Sequence, residues 1–277
     1  MLNKRVSSLL MSTVLVGALA VGCGGSNDES AGGKSTITVS GSTSVGPSME
    51  LVSERFEDLN EDVNIEIQQL GSSAGVKNAI DGISEIGMSS RDLKDEERAS
   101  GVVETTMAID AIALITNVNN PIKNLTSDQI NGIYTGEITN WQELGGDDAP
   151  IVAVSREDGS GTRGAFEEII GYESAELTKD ATIGDGSGNI KSTVEGNVNA
   201  IGYVSGSYVD ENVTLLSVDG VEMTTDNIKS GDYPVSRPFL LVHKEENLSE
   251  KGQEFLDFIL SDEGQAIIEE EGLVSVK

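Results

Sequence analysis

A strand, a glycine-rich turn and a helix follow one another at residues 152–166, where the chain reads Val-Ala-Val-Ser-Arg-Glu-Asp-Gly-Ser-Gly-Thr-Arg-Gly-Ala-Phe. Gly159 and Gly161 lack a Cβ atom, so the backbone can turn sharply there and bring its N–H groups close to a ligand. The first turn of the following helix has N–H groups without an intrahelical partner, and the helix dipole places partial positive charge at that end. The segment therefore predicts α/β structure with a place for an anion at the turn.

Polar side chains at the same turn add hydrogen-bond donors. Ser160 and Thr162 carry hydroxyl groups, and Arg156 and Arg163 carry guanidinium groups that can fork onto two oxygens of a tetrahedral anion. A turn of this kind can also be a plain connection in which Ser160 caps the helix. The turn taken alone leaves both interpretations open, since glycine-rich turns are weak motifs without their context.

The order of strand, hydroxyl-rich turn and helix occurs twice more near the start of the chain. Residues 36–40 alternate apolar and hydroxylated side chains and lead into Gly-Ser-Thr-Ser-Val-Gly-Pro at 41–47. Residues 63–70 also alternate, and Gly-Ser-Ser-Ala-Gly follows at 71–75. Ligands in open α/β sheets lie at the carboxyl ends of strands, beside helix N-termini. We therefore expect the three turns to converge on one site.

The rest of the pattern continues the alternation of strands and helices, which predicts an α/β fold with mostly parallel sheets. A short strand that ends in two serines is followed by Arg91 and Asp92. The further predicted strands lie at residues 86–90, 106–117, 200–204 and 234–242, and the further predicted helices at 95–98, 127–134, 189–194, 249–260 and 262–271.

The first 23 residues are typical of an export signal. Lys4 and Arg5 precede an apolar core at residues 9–20, which is too short and too weakly flanked for a stable membrane span. Cys23, the single cysteine, follows Leu-Ala-Val-Gly, a pattern that resembles a bacterial lipobox. The resemblance implies cleavage before Cys23, lipidation of its thiol and anchoring on the outer side of the cell membrane. Residues 24–35 contain no large apolar side chain and predict a flexible tether.

The charge balance argues against nucleic acid as a partner. The chain has 18 lysines and arginines against 47 aspartates and glutamates, a formal net charge of −29. Such a surface repels a phosphate backbone, so an anion site must be built locally from a few arginines and backbone dipoles. The dense acid can equally be an adaptation of the surface for solubility or salt tolerance.

Taken together, the motifs resemble the phosphate-binding substrate-binding proteins of ABC importers, the PstS family. The resemblance covers most of the chain after the tether and rests on the three turns and on the segments at 134–141 and 200–203. It implies a two-lobed, type II periplasmic binding protein-like fold with the ligand clamped between the lobes. The implied divisions are a signal peptide at 1–22, a tether at 23–35, lobe one at 36–117 plus 238–277, and lobe two at 118–237, with crossings near 116–121 and 234–239.

The resemblance also assigns residues to the anion. The implied ligand contacts are Thr43 and Ser44 in the first turn, Ser72 or its neighbour Ser73 in the second, and Arg156, Ser160, Gly161 and Thr162 in the third. Many members of the family have an aspartate after the third strand that accepts the proton of monohydrogen phosphate, but this chain has Ser90 there, followed by Arg91 as an extra positive contact. We therefore expect phosphate to bind more tightly than sulfate, with weaker discrimination than a carboxylate gives.

The resemblance implies a transport protein without a cofactor that captures inorganic phosphate and delivers it to an ABC permease and its ATPase. Sulfate, molybdate or tungstate is the alternative cargo, and an anion sensor or adhesion protein could use the same fold. A phosphoryl-transfer enzyme is disfavoured. His243 is the single histidine, it follows an apolar strand, and no cluster with metal-ligand spacing accompanies the turns.

Overall fold

The computed structural model describes residues 34–277. The predicted signal peptide, Cys23 and almost all of the tether lie outside the described residues. Between residues 34 and 277, no helix has the length and apolar character needed to cross a membrane.

Strands and helices alternate along the described chain, and the predicted α/β class is confirmed. The strands are β1 (Ser35–Gly41), β2 (Val63–Gln69), β3 (Ile86–Ser89), β4 (Val103–Asn117), β5 (Asn124–Leu125), β6 (Val152–Arg156), β7 (Thr182–Gly184), β8 (Ala200–Ser205), β9 (Val213–Leu215), β10 (Ser217–Val218) and β11 (Ser236–His243). The helices are α1 (Gly46–Leu59), α2 (Ser72–Ile80), α3 (Asp95–Arg98), α4 (Ser127–Thr135), α5 (Gly161–Ile170), α6 (Ser187–Glu195), α7 (Thr225–Ser230), α8 (Glu250–Ile259) and α9 (Asp262–Glu270).

One nine-stranded sheet runs through the described chain in the order β2-β1-β3-β11-β4-β8-β6-β7, with β9 beside β4. Strands β1, β2 and β3 are parallel at one end, and β6, β7 and β8 are parallel at the other. The centre is antiparallel, because β11 and β4 run against each other and against their neighbours. The expectation of mostly parallel strands therefore holds for the two ends and fails at the centre, where the chain crosses from one end to the other.

Strand β4 belongs to both ends of the sheet. Residues 103–111 pair with β11, and from Ile112 onward the strand pairs with β8 and then β9. We name the end with β1, β2, β3 and β11 the first lobe and the end with β6, β7, β8 and β9 the second lobe. The change of partner between Ala111 and Ile112 lies a few residues before the crossing expected at 116–121. The numbered lobe boundaries remain predictions.

Each lobe has its own apolar core. In the first lobe α8 packs on α1, with the rings of Phe56 and Phe255 centred 5.1 Å apart. In the second lobe Phe166 of α5 stacks on Tyr203 of β8, with the ring centroids at 4.0 Å. This stacking packs α5 against β8. The cores thus place helix N-termini of both lobes at the same edge of the sheet.

Candidate functional site

Turns that follow parallel strands of both lobes bring hydroxyl side chains together. The group that we name the hydroxyl cluster consists of Ser42, Thr43, Ser44, Ser72, Ser90, Thr162 and Ser187. All except Thr43 are at most 2 % exposed. Polar groups buried to this extent must be hydrogen-bonded, and here they bond largely to one another.

The first-lobe members of the cluster meet at Ser90. The Ser42 hydroxyl donates to Oγ of Ser90 at 2.8 Å, and Oγ of Ser72 lies 3.3 Å from the same atom. The backbone N–H of Ser90 donates to Oγ of Ser72 at 3.0 Å. The turn after β3 is thereby fixed against the turns that precede α1 and α2.

The cluster also joins the two lobes. Oγ of Ser44 lies 2.7 Å from Oγ1 of Thr162 and 3.1 Å from Oγ of Ser187, and Thr43 bonds to Ser187 at 3.2 Å. Ser44 and Thr43 precede α1, whereas Thr162 and Ser187 open α5 and α6. Donors from both lobes therefore face one another across the boundary between them.

Arg156 brings a full positive charge to the cluster. Its side chain is 1 % exposed, and its two terminal nitrogens donate to Ser187 and to Thr43, each at 3.0 Å. Glu157 accepts from Nε and Nη2 at 2.7 Å each. Burial acts to raise the pKa of the Glu157 carboxyl, but the hydrogen bond and charge of Arg156 outweigh it and the pKa lies below its usual value. The carboxylate orients the guanidinium and leaves its outer N–H groups for the cluster.

Helix N-termini add partial positive charge at the same place. Helices α1, α2, α5 and α6 all begin at the cluster, and Gly71 and Gly186 stand directly before α2 and α6 with φ of 88° and 78°. Only glycine adopts that conformation easily. Free N–H groups and helix dipoles favour an anion, which offsets locally the net charge of −29 on the whole chain.

Glycine is required at position 161 because side chains of the first lobe lie against its backbone, and not because of its backbone dihedral angles. A Cβ atom there would lie 2.1 Å from Oγ of Ser72 and 2.8 Å from Oγ of Ser90. Ser72 and Ser90 belong to the first lobe and Gly161 to the second. The absence of a side chain therefore lets the first turn of α5 reach the first lobe directly.

Ser160 and Ser73 border the cluster. Oγ of Ser160 accepts the backbone N–H of Arg163 at 3.2 Å, so this hydroxyl caps α5, as the alternative interpretation of the turn held. The backbone N–H of Ser73 donates to the carbonyl of Gly159 across the lobes at 3.1 Å. The contact of Ser160 and Ser73 with a ligand stays a prediction.

Arg91 and Arg163 are paired with glutamates beside the cluster. Arg91 donates to both carboxylate oxygens of Glu97 at 2.8 Å, and its remaining contact with the site is a 3.3 Å bond to Oγ of Ser73. Arg163 donates to Glu167 at 2.6 Å on the flank of α5. Both guanidinium groups therefore act at the edge of the site, where their charge is largely neutralised.

The carboxylates of Asp92 and Asp158, which follow Arg91 and Glu157 in the chain, point into solvent and not into the cluster. The side chain of Asp92 is 66 % exposed beside Arg98, and that of Asp158 is fully exposed to solvent. Ser90 is completely buried. Within the hydroxyl cluster itself, the side-chain acceptors are hydroxyl oxygens.

Several residues of the site were missed in the sequence. Ser42 lies inside the first turn and Ser187 follows Asp-Gly, and both repeat the glycine–hydroxyl chemistry of the other turns. Asp110 and Arg237 form a buried ion pair directly under Ser90, with Nη1 of Arg237 donating to the Ser90 carbonyl at 3.1 Å. A charged residue inside each of two apolar runs was the signal that could have revealed the pair.

His243 ends β11 opposite Val103, and its Nδ1 is buried with no hydrogen-bond partner among residues 34–277. In residues 34–277, no group of three or more histidine, cysteine, aspartate or glutamate side chains is arranged to hold a metal ion. What the arrangement provides is a buried, donor-rich place for an anion.

Comparison with known proteins agrees with this geometry. Residues 26–263 match the model of the PBP superfamily domain. The phosphate-binding protein PstS of Bacillus subtilis is 33 % identical, over 99 % of this chain and 94 % of the relative, and that of Borreliella burgdorferi is 29 % identical over 87 % and 90 %.

Solved structures extend the likeness to the fold. A protein from Clostridium perfringens, described as a phosphate ABC transporter substrate-binding protein with bound phosphate, is 62 % identical with a TM-score of 0.87, over 87 % of this chain and 100 % of that chain. An ABC-type phosphate transport receptor from Vibrio cholerae is 35 % identical with a TM-score of 0.74, again over 87 % and 100 %. This chain belongs to the PBP superfamily and, within it, to the PstS family of phosphate-binding proteins.

Proposed function

We propose that this protein binds inorganic phosphate in the hydroxyl cluster, between its two lobes, and delivers it to an ABC import permease. The observation that carries the proposal is the cluster itself, in which buried hydroxyl donors of both lobes and the guanidinium of Arg156 meet at four helix N-termini. Its chemistry is that of capture without reaction. The relatives named above are described as phosphate-binding proteins or as transporter substrate-binding proteins, which supports a binding protein rather than an enzyme.

The proposed contacts follow the turns. They are Thr43, Ser44, Ser72, Ser73, Ser90, Arg91, Arg156, Ser160, Gly161 and Thr162 from the sequence, with Ser42 and Ser187 added by their place in the cluster. Hydroxyl groups suit a protonated anion, because each can rotate to donate or to accept. Residues of both lobes reach the same ligand, so binding favours the closed arrangement.

Selection of phosphate over sulfate rests on the acceptor at Ser90. At neutral pH monohydrogen phosphate has a proton to donate and sulfate has none. An acceptor held among donors is left unpaired by sulfate, which costs binding free energy. A hydroxyl can turn to donate instead, so we expect phosphate to be preferred by a smaller factor than a carboxylate would give.

Isothermal titration calorimetry with phosphate, sulfate, molybdate and tungstate tests the proposal. We expect saturable binding of phosphate with one site per chain and weaker binding of the other three. Sulfate that binds as tightly as phosphate would overturn the phosphate assignment, and a tighter fit of molybdate or tungstate would reassign the cargo. Sustained release of phosphate from a generic ester would instead favour an enzyme.

We propose that Cys23 carries the lipid anchor and that residues 24–35 tether the domain near the permease. The leader-like sequence before Cys23 supports the proposal. The tether would hold the binding domain close to the transporter. This raises the effective concentration of captured phosphate at the permease.

A further inference from the structure

Asp110 and Arg237 form an ion pair at the centre of the sheet. The two residues stand opposite each other on β4 and β11, and their side chains are 0 % and 1 % exposed. Nε and Nη2 of Arg237 both donate to Oδ2 of Asp110, at 3.0 and 2.9 Å. Burying two charges costs free energy that apolar side chains of similar size avoid, so stability alone does not explain the pair.

The polar atoms of the pair that do not bond to each other contact both lobes. Nη1 of Arg237 donates to the backbone carbonyl of Ser90 at 3.1 Å, on the first-lobe side. Oδ1 of Asp110 accepts the Ser205 hydroxyl at 2.8 Å and the N–H of Gly206 at 3.3 Å, at the end of β8 in the second lobe. The pair is thus one link in a chain of hydrogen bonds from β8 to Ser90.

The pair also lies where the chain passes between the lobes. Ala111 is the last residue of β4 that pairs with β11, and Ile112 is the first that pairs with β8. Asp110 directly precedes this change of partner. The ring of Phe239, on the same strand as Arg237, lies 5.4 Å below the guanidinium and limits its movement.

We propose that the Asp110–Arg237 pair is a positioning device that orients Ser90 toward the anion and ties that orientation to the second lobe. The proposal rests on the proposed binding of phosphate at the hydroxyl cluster. Arg237 holds the Ser90 carbonyl, so the Ser90 hydroxyl stays between Ser42 and Ser72, where it can serve as the acceptor for a protonated anion. Asp110 fixes the orientation of the Arg237 guanidinium through two hydrogen bonds. The Ser205 hydroxyl in turn fixes the Asp110 carboxylate.

A double-mutant cycle on the full chain tests the coupling. Arg237→Lys keeps the charge but loses the planar fork that bonds Asp110 and Ser90 together. We expect Arg237→Lys to weaken phosphate binding roughly tenfold in the unmutated chain. In a chain that already contains Ser90→Ala, the same change should weaken binding by less than about threefold. In a Thr162→Val background, which removes a hydroxyl that contacts Ser44 instead, the full roughly tenfold loss should return.

Equal losses in the Ser90→Ala and Thr162→Val backgrounds would show that Arg237 acts independently of Ser90 and would overturn the proposal. Arg55→Lys, at an exposed pair with Glu263, is the matched control and should leave phosphate affinity unchanged. If Arg237→Lys does not fold, Ser205→Ala replaces it, with a loss of a few fold expected only while Ser90 is present. An unmutated chain that does not bind phosphate would contradict the proposed function itself.

Discussion

Arg156 is the residue through which a charge reaches both lobes at once. Its terminal nitrogens donate to Thr43 of the first lobe and Ser187 of the second, while Glu157 holds the rest of the guanidinium. An anion placed among these groups would receive charge-assisted hydrogen bonds from a buried guanidinium. Such bonds are about twice as strong as neutral ones.

Arg156→Ala should weaken phosphate binding by about 2–5 kcal/mol, because it removes these bonds and leaves the Glu157 carboxylate unpaired. Calorimetric titration measures the loss. Ser160→Ala is the comparison, since it deletes one neutral hydroxyl that caps α5. It should lower the free energy of unfolding by about 1 kcal/mol. Its loss of phosphate affinity should be smaller than that of Arg156→Ala. Near-normal phosphate affinity in Arg156→Ala would refute the role assigned to the arginine.

Ser90→Asp should raise the ratio of phosphate to sulfate affinity. The side chain of residue 90 is fully buried and touches two hydroxyls of the cluster, so a carboxylate there would accept the proton of phosphate and repel sulfate. Competition titrations with both anions give the ratio. An unchanged ratio would mean that residue 90 does not face the anion.

At the scale of elements, the far end of β11 contains a titratable group that the site does not use. His243 is 5 % exposed, and burial lowers its pKa below the ordinary 6.5, although Glu245 acts in the opposite direction. The unfolded chain then binds a proton more readily than the folded one between the two pKa values. Stability is therefore complete above about pH 6.5 and falls as the pH drops through this window.

His243→Gln should reduce the dependence of the melting temperature on pH between about pH 5 and pH 7. Glu245, Glu250 and Asp257 line the same cavity as His243 and are left unchanged by the substitution. Thermal melts across a pH series in the unmutated chain and the variant provide the measurement. An identical slope in both would show that another group controls this window.

At the scale of the whole molecule, direct contacts hold the lobes together beside the anion site. The Tyr208 hydroxyl of the second lobe donates to the backbone carbonyl of Thr43 at 2.8 Å, and the Ser73 N–H donates to the carbonyl of Gly159 at 3.1 Å. Such bonds lower the free energy of the closed arrangement that ligand binding requires. They add affinity without touching the ligand.

Tyr208→Phe should weaken phosphate binding by about 0.5–1.5 kcal/mol, the usual net contribution of one hydrogen bond. The matched control is Tyr134→Phe, whose hydroxyl bonds to the carbonyl of Val154 inside the second lobe and should affect stability alone. Titration calorimetry with small-angle X-ray scattering compares affinity and closure in the two variants. Equal losses of affinity in both would contradict the proposed contribution of the interlobe bond.

Cys23→Ser should release the protein from the membrane fraction or leave its leader uncleaved, because the thiol would no longer be available for the lipid. Cell fractionation and the apparent mass of the protein report on the two outcomes. A lysine substitution in the tether, Ser26→Lys, is the control that should remain membrane-bound. Unchanged fractionation and processing of Cys23→Ser would contradict the lipobox interpretation.

The sequence alone determined the α/β class, most of the strands and helices, and the three hydroxyl-glycine turns. These depend on local periodicity and on residues such as Pro47 and Gly159, whose effects act within a few positions. Short strands such as β5 and β9 were missed, because pairing with distant segments stabilises them more than their own propensities do.

Only the tertiary structure decided which polar side chains meet. It moved Arg91 and Arg163 to the edge, where Glu97 and Glu167 pair with them, and it brought Ser187 into the cluster from a loop that carried no assigned role. It also joined Asp110 to Arg237 across 127 positions of sequence. Hydrogen bonds and ion pairs depend on distances of about 3 Å between residues far apart in the chain, and local sequence patterns carry no information about such distances.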